Sequence, residues 1–230
     1  MKTAILWDFD GTLSYAPNIW NHAVLKAAVS AAPAIALPTM EELYELRRMA
    51  GFTFLWKDEW PNGSPVGEAW WDEMNARFFK VFTAMGLTNE QAEKAVPLIR
   101  QHIIDPGNYV LYPDAIAALE ACRQKGAACV MISNNYPETV ETCAVLGLTP
   151  YFRSYAISGD IGLDKPHRAI FDYAMSLCPE CSRHIMVGDN IHADIGGGKA
   201  AGMETVYVHR GEHPDADHCF DSLLPILDLI

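Results

Sequence analysis

From residue 109 onwards, short apolar segments alternate with helix-forming segments, and this pattern constrains the fold more than any other feature. The candidate strands in this part of the chain are Ala127–Ile132, Tyr155–Ile157, His184–Val187 and Thr205–Val208. One further candidate strand, Thr3–Trp7, lies near the N-terminus. The candidate helices are Asp114–Gln124, Pro137–Leu146, His167–Leu177 and Ala193–Ala201. Strands that alternate with helices are joined by right-handed crossovers, which produce a parallel sheet. We therefore predict an α/β fold built on a parallel sheet.

Residues 16–108 differ from this pattern because they contain helix signals and no strong strand. Thr39-Met40-Glu41-Glu42 and Thr88-Asn89-Glu90-Gln91 have the order of a capping box, in which a Thr and an acidic or amide residue begin a helix. A chain of 230 residues is long enough for one α/β domain that carries a smaller insert. We predict a discontinuous core of residues 1–15 and 109–230, and an all-helical insert of residues 16–108.

Composition excludes several classes of protein. Half of the residues are hydrophobic and 20% are charged, which argues against a disordered chain. The formal net charge of -12 argues against a general nucleic-acid surface, because binding to DNA or RNA draws on basic residues. No apolar run is long enough to span a bilayer, and the N-terminus turns acidic too early for a signal peptide. We expect a cytoplasmic protein without a membrane partner.

The six cysteines do not form a clear metal or disulfide pattern. Cys178 and Cys181 make a single CxxC without a second ligand pair, so we interpret them as part of a loop before a strand. In a cytoplasmic chain we expect all six to be reduced. The His-containing segment from His209 to Cys219 has irregular spacing, and we predict that it is a solvated loop.

The acidic segment that follows the first candidate strand carries the strongest functional signal. Asp8 and Asp10 are two residues apart where the chain begins to turn, so both carboxylates can face one opening. Two close carboxylates repel unless a cation lies between them or one holds a proton. One carboxylate can attack phosphorus, and the other can move a proton. The alternative is a solvated acidic turn at a strand end, which Asp10-Gly11 alone would also suit.

Three further segments lie where candidate strands end, which is the edge of an open α/β sheet that binds ligands. Ser133 and the amides after it are suited to bind phosphate, or to cap a helix. Lys165 precedes a proline and is either a phosphate-binding cation or a surface lysine. Asp189 is a natural magnesium ligand, while Asp194 either orients Lys165 or is a solvated acid in the first helical turn.

Together these segments resemble the haloacid dehalogenase-like superfamily. The matching residues are Asp8-Phe9-Asp10-Gly11-Thr12, Ser133-Asn134, Lys165-Pro166, and Gly188-Asp189 with Asp194. The resemblance covers roughly residues 1–15 and 109–210. It implies a Rossmann-like core of three α/β/α layers, with a helical cap inserted after the first strand.

The same resemblance implies the reaction and the cofactor. Asp8 is then the nucleophile and Asp10 the general acid/base. Mg²⁺ is bound by the Asp8 side chain, the Asp10 backbone carbonyl and Asp189. Members that dehalogenate or that hydrolyse phosphonates typically lack the second aspartate, so the presence of Asp10 favours phosphate esters. We expect a magnesium-dependent phosphatase that acts on a small phosphorylated metabolite.

The remaining matching residues are assigned to substrate binding. The resemblance implies that Ser133 and Lys165 hold the transferring phosphoryl group. Thr12 and Asn134 are further candidates for phosphate binding. Thr12 is also a candidate to assist Asp10, and Asp194 is assigned a supporting role. Two other functions stay open: a phosphotransferase or phosphohexose mutase on the same core, and a non-catalytic module that keeps a metal site. The sequence leaves the choice between a monomer and a homodimer open.

The predicted insert is rich in aromatic residues, which has two interpretations. The rings are Phe52, Phe54, Trp56, Trp60, Trp70, Trp71, Phe78, Phe79 and Phe82. They are expected either to form a lid that encloses the substrate or to build the insert's own core. The basic residues Arg47, Arg48, Lys57 and Arg77 are either contacts for a second anionic group of the substrate or exposed helix charges.

Overall fold

A computed structural model describes residues 2–57, 60 and 63–230, except for the side chain of Trp56. The strands are β1 (Thr3–Trp7), β2 (Ser14–Tyr15), β3 (Val110–Leu111), β4 (Ala128–Ser133), β5 (Ser154–Ile157), β6 (Arg183–Gly188), β7 (Glu204–Val208) and β8 (His218–Phe220). The α-helices are α1 (Ile19–Ala31), α2 (Met40–Met49), α3 (Glu68–Ala84), α4 (Asn89–Ile103), α5 (Ala115–Gln124), α6 (Thr139–Val145), α7 (Ser158–Ile161), α8 (Arg168–Ser176) and α9 (Gly197–Ala200).

The chain divides into two compact units, which we call the α/β unit and the helical unit. The α/β unit consists of Met1–Ala16 and Tyr109–Ile230, and the helical unit of Pro17–Asn108. Within the described ranges, no helix is both long and apolar enough to cross a membrane.

The α/β unit is built on a six-stranded sheet in the order β5-β4-β1-β6-β7-β8, and all neighbouring strands run parallel. Trp7 at the end of β1 pairs with Met131 on β4 and with Val187 on β6. The register therefore brings the carboxyl ends of these three central strands to one edge. The predicted α/β fold with a parallel sheet is confirmed.

Apolar packing on both faces holds the central strands. Every residue of β1 is buried, as expected for a strand covered by helices on both sides. On one face, Leu6 and Ile132 belong to a buried cluster with Phe171 of α8. Burial of each such side chain contributes about 1.5 to 3 kcal/mol, so this packing fixes the strand ends firmly.

The helical unit contains α1 to α4, and two of these helices, α2 and α4, begin where the capping boxes predict. The Thr39 hydroxyl accepts a hydrogen bond from the Glu42 amide, and the Glu42 carboxylate accepts one from the Thr39 amide, which satisfies two free N–H groups at the start of α2. Thr88 and Gln91 form the same pair at the start of α4.

Aromatic rings in the helical unit pack on one another. Phe78 lies 5.8 Å from Trp20 in a stacked arrangement and 4.9 Å from Phe52, measured between ring centroids. Trp70 and Trp71 are 4.9 Å apart and nearly perpendicular. These contacts are those of an aromatic core; of the predicted aromatic set, the side chain of Trp56 lies outside the described residues.

The prediction of a solvated loop over His209–Cys219 is wrong at its end. His218 and Cys219 belong to β8, which pairs in parallel with β7 at the sheet edge. The strand has only three residues, all half-buried, so it lacks the apolar run that identifies the central strands. The predicted helix Ala193–Ala201 also differs, because a wider helical turn at Ile191–Gly196 precedes α9.

Candidate active site

Asp8 is the first residue after β1, and the chain turns directly behind it. The carbonyl of Phe9 accepts hydrogen bonds from the amides of Leu13 and Ser14, each at 3.0 Å. Gly11 has a φ of 83°, a conformation that glycine adopts without the steric penalty of a side chain. The turn keeps Asp8 and Asp10 at the same edge of the sheet.

The Asp8 carboxylate is nearly buried and is held through one oxygen. Ser133 Oγ, at the end of β4, donates a hydrogen bond to Asp8 Oδ1 at 2.9 Å. Lys165 Nζ lies 2.8 Å from the same oxygen. No group in the described part of the chain donates to Oδ2 of Asp8, so one oxygen is anchored and the other is available for reaction.

Lys165 is a buried cation with a complete set of acceptors. Besides Asp8, its ammonium contacts Asp194 Oδ1 at 2.6 Å and donates to the Ile132 carbonyl at 3.0 Å. Burial acts to lower the pKa of Lys165, but the charges of Asp194 and Asp8 outweigh it and raise this pKa to about 12. The side chain therefore stays charged beside the Asp8 carboxylate.

Asn134 holds the backbone of Lys165. Its side-chain Nδ2 donates to the Lys165 carbonyl and its Oδ1 accepts from the Lys165 amide, both at 2.7 Å. This reciprocal pair fixes the loop that carries the lysine. The side-chain amide of Asn134 is engaged in this pair. Its predicted contact with phosphate is not tested by these hydrogen bonds and stays a prediction.

Asp10 has different surroundings from Asp8. Its Oδ2 accepts a hydrogen bond from Asn135 Nδ2 at 2.9 Å, while its Oδ1 is inaccessible to water and has no partner among the described residues. Burial, with a smaller effect from the Asp8 charge, raises the pKa of Asp10 to about 7. A carboxyl group with a pKa near neutrality can both give and take a proton.

Thr12 lies in the same turn and is completely buried. Its hydroxyl has no hydrogen-bond partner in the described part of the chain. A buried polar group of this kind is destabilising unless something bonds to it. Thr12 Oγ1 and Asp10 Oδ1 are therefore two groups at this edge that have no hydrogen-bond partner among the described residues.

Asp194 is fully buried and orients Lys165. Its Oδ2 accepts from the Asn190 amide at 3.0 Å, while its Oδ1 contacts the lysine. A side chain at Gly188 would collide with the Asp194 carboxylate, since a Cβ there would lie 2.2 Å from Oδ2. The glycine at the end of β6 thus makes room for this carboxylate.

Asp189 follows β6 and approaches the turn after β1. A Cβ on Gly11 would lie 2.2 Å from Asp189 Oδ2, so this carboxylate packs directly against the glycine backbone. Burial, followed by the charge of Asp8, raises the pKa of Asp189, and the nearby Arg210 limits that rise. Arg210 Nε and Nη2 contact Oδ2 of Asp189 at 3.1 and 2.8 Å.

This edge of the sheet has a donor set that suits a divalent cation. Asp8, Asp189 and Asp194 each offer a carboxylate oxygen, and these oxygens lie within 4.8 Å of one another. Hard oxygen ligands are those that Mg²⁺ prefers. The oxygen Asp10 Oδ1, which has no partner in the described ranges, lies in the same charged surroundings. The residues present therefore fit a magnesium ion.

Two residues at this edge were not singled out from the sequence. Asn135 stands in the polar run after β4, but only its contact with Asp10 shows that it faces the turn. Arg210 lies beyond the last residues that resemble a family motif, and no spacing rule connects it to Asp189. Both contacts depend on residues more than 20 positions apart, which a motif search does not detect.

A sequence profile described as haloacid dehalogenase-like hydrolase matches residues 2–202. The chain belongs to this family. A phosphoserine phosphatase from Thermus thermophilus is 31% identical over 165 residues, which cover 70% of this chain and 65% of that protein. A ribulose-1,5-bisphosphate 5-phosphatase from Halopiger xanaduensis is 32% identical over 136 residues, which cover 52% of this chain and 56% of that protein.

A solved structure has the same fold over almost the whole chain. It is the putative HAD-hydrolase YfnB from Bacillus subtilis, described as bound to magnesium. The TM-score is 0.76 at 20% sequence identity, with 99% of this chain and 97% of that chain covered. The sequence matches to the two phosphatases span less than two thirds of those proteins, so the likeness to them covers only part of their length.

Proposed function

We propose that this protein is a magnesium-dependent phosphatase that hydrolyses a small organic phosphate monoester through an aspartyl-phosphate on Asp8. Two relatives named as phosphatases support the reaction class, and they act on chemically different phosphate esters by their names. The shared feature is the phosphate group rather than the rest of the substrate. We propose a phosphorylated metabolite in the cytoplasm as the substrate and leave its carbon skeleton open.

The contrast between Asp8 and Asp10 is the observation that carries the proposal. Asp8 is held through one oxygen by the Lys165 cation and the Ser133 hydroxyl, which leaves its other oxygen available for attack on phosphorus. Asp10 has a neutral amide partner, and its pKa is raised to about 7. A carboxylate held beside a cation and a carboxyl group with a pKa near neutrality are suited to the roles of nucleophile and general acid/base.

In the first step, an oxygen of Asp8 forms a bond to phosphorus and the bond from phosphorus to the ester oxygen breaks. Asp10 gives its proton to the departing oxygen, so the product leaves as an alcohol. Lys165 lies beside Asp8 and therefore beside any phosphoryl group bonded to it. Its charge, with the Ser133 hydroxyl, stabilises the negative charge of that group.

In the second step, Asp10 takes a proton from a water molecule that attacks the phosphorus atom. The bond between phosphorus and Asp8 breaks, which releases phosphate and restores the Asp8 carboxylate. Asp10 is again protonated at the end of this step, so the proton balance closes over one turnover. Asn135 keeps the Asp10 carboxyl in place during both transfers.

Asp8, the backbone carbonyl of Asp10, and Asp189 are the residues that we propose to hold Mg²⁺. When bound, magnesium neutralises negative charge on the transferring phosphoryl group. The buried Asp194 is engaged with Lys165 and the Asn190 amide, which favours a supporting role for it. Asp189 keeps its Oδ1 free of protein partners in the described part of the chain, so this oxygen is available to a cation.

The test is phosphate release from an aryl phosphate with Mg²⁺ and with EDTA. We expect magnesium-dependent release that falls by about 10⁴-fold or more in Asp8→Asn. The control is Asp172→Asn, which makes the same change at an exposed aspartate on α8 paired with Arg168. Undiminished turnover by Asp8→Asn would show that the nucleophile is assigned wrongly. In a parallel incubation with sugar phosphates, formation of an isomerised sugar phosphate without free phosphate would instead indicate a mutase.

A further inference from the structure

Arg210 is an active-site cation that the mechanism above does not use. It lies two residues after β7, and two of its guanidinium nitrogens contact a single oxygen of Asp189. The side chain of Arg210 is 48% exposed, whereas that of Asp189 is 16% exposed. The arginine therefore covers the carboxylate from the solvent side and retains space in which to move.

The backbone that presents Arg210 is held in an unusual conformation. His209 has a φ of 63°, a left-handed value that residues other than glycine rarely adopt. Its ring stacks on Tyr112 with a centroid distance of 3.7 Å, and its Nε2 lies 3.0 Å from the Thr12 carbonyl. These contacts tie the Arg210 segment to the turn that carries Asp8 and Asp10. The position of Arg210 is thus built into the α/β unit.

The charges at this edge suggest what Arg210 does. The carboxylates are those of Asp8, Asp10, Asp189 and Asp194, and the cations are Lys165 and Arg210. With Asp10 protonated, as the first step requires, and the other groups ionised, the site has one negative charge in excess. Without Arg210 the excess is two, which favours a cation further and disfavours a phosphate dianion.

We propose that Arg210 is a positioning residue whose charge, held on Oδ2 of Asp189, weakens the binding of Mg²⁺ at Oδ1 and improves the binding of the phosphate dianion. The proposal rests on the proposed function, because it takes Asp189 to be a magnesium ligand. A guanidinium on Asp189 repels an approaching divalent cation and attracts an approaching phosphate. Loss of its charge should therefore shift the two affinities in opposite directions.

Arg210→Gln and Arg210→Lys test this, with binding measured by calorimetry on the full chain. We expect Arg210→Gln to lower the Kd for Mg²⁺ by about three- to tenfold, the effect of one nearby charge screened by water. With Mg²⁺ saturating, the same change should raise the Kd for inorganic phosphate by about three- to tenfold. Arg210→Lys loses the two-nitrogen contact but keeps the charge, so for both ligands it should stay closer to the parent than Arg210→Gln does.

The matched control is Arg123→Gln, which removes an exposed arginine that pairs with Glu120 on α5. It should change neither affinity. The inference is wrong if Arg210→Gln weakens both ligands, which is the result of a merely structural role, or leaves both unchanged. It is also wrong if Arg210→Lys behaves like Arg210→Gln. If the parent takes up no Mg²⁺, the proposed function itself fails, and this inference with it.

Discussion

The α/β unit and the helical unit bury different kinds of side chain. In the part of the chain that the structure describes, the buried charged residues are Asp8, Asp164, Lys165 and Asp194, and all of them belong to the α/β unit. The buried polar residues of the helical unit are Asn21 and Ser64, neither of which is charged. Its interior consists of aromatic and aliphatic side chains such as Trp71 and Phe78.

This difference matters because buried charges are rarely kept for stability alone. Removal of a charge from water costs several kcal/mol, and an apolar replacement of a buried ion pair is often neutral or stabilising. Charges that persist inside the α/β unit therefore indicate chemistry there. In the helical unit, the Arg47 guanidinium lies 4.2 Å from the Phe52 ring centroid. This cation therefore packs on an aromatic ring in a cation–π contact.

The strongest test of the contrast is Lys165→Met. It leaves the buried carboxylates of Asp8 and Asp194 without their cation, so the free energy of unfolding should fall by about 3 to 5 kcal/mol. Turnover of the folded protein should fall by about 10³-fold or more, since a charge beside the nucleophile is lost. Chemical denaturation and an aryl phosphate assay measure the two effects.

Lys199→Met is the control for this prediction, because Lys199 pairs with Asp217 at a site where both side chains are 40% exposed. Exposed pairs contribute about 1 kcal/mol or less, so this variant should keep nearly all of its stability. Equal destabilisation by the two substitutions would contradict the distinction between buried and exposed charge.

Asp10→Asn separates proton transfer from nucleophilic attack. We expect turnover of an alkyl phosphate to fall by about 10² to 10³-fold, because the leaving alkoxide needs a proton. In the first step alone, an aryl phosphate should lose much less, since a phenolate leaves without protonation. Single-turnover kinetics with the two esters measures this difference, because the second step needs Asp10 as a base for both. Equal losses for both would argue against Asp10 as the general acid.

Much of the α/β unit follows from sequence because its elements are locally distinctive. Central strands such as β1 are continuous apolar runs, and the acids that follow it stand where a parallel sheet presents its ligand site. Capping boxes predict the starts of α2 and α4 for the same reason, since the residues that form each cap lie within one turn.

The partners of the site residues are not predictable in this way. Asn134 is next to Ser133 in sequence, but its amide turns towards the backbone of Lys165, which lies 31 residues away. Arg210 contacts Asp189, which lies 21 residues away, from a segment in which His209 adopts a left-handed conformation and stacks on Tyr112. Such contacts depend on which distant segments of the chain pack together. A local sequence pattern does not specify this packing.

The helical unit gives the third prediction, because its aromatic core should respond in stability rather than in chemistry. Phe78→Ala removes a fully buried ring and should lower the free energy of unfolding by about 3 to 4 kcal/mol. Turnover of the molecules that remain folded should stay within about tenfold of the parent. Met49→Ala, at a residue that is 75% exposed, is the neutral control. A large loss of turnover without loss of stability would favour the aromatic lid.

The fourth prediction concerns pH, in protein kept free of metal with EDTA. The pKa of Asp10 is raised from 3.8 to about 7 on folding, so the unfolded chain releases this proton first as pH rises. Stability from this group is therefore full below about pH 4, falls between about pH 4 and 7, and stays low above. Asp10→Asn removes the penalty, so at pH 8 it should stabilise the protein by up to about 4 kcal/mol, the equivalent of the rise of this pKa from 3.8 to about 7.

The same substitution should change stability little at pH 4, where the carboxyl is protonated in both states. Denaturation at the two pH values in the parent and in Asp10→Asn isolates the effect, because the other groups titrate alike in both proteins. If the stability difference between the parent and Asp10→Asn does not vary with pH, folding does not raise the pKa of Asp10 and the prediction is wrong.

The smallest expected effect is that of the cap on α2. Thr39→Ala removes the hydroxyl that accepts from the Glu42 amide, so the free energy of unfolding should fall by about 1 kcal/mol. Thr39→Ser keeps this acceptor and should recover most of the loss. Because α2 belongs to the helical unit and contains no residue of the proposed mechanism, turnover at 25 °C should be unchanged within error. If Thr39→Ala lowers kcat and Thr39→Ser recovers it, then α2 influences the reaction. That result would contradict the division of roles between the two units.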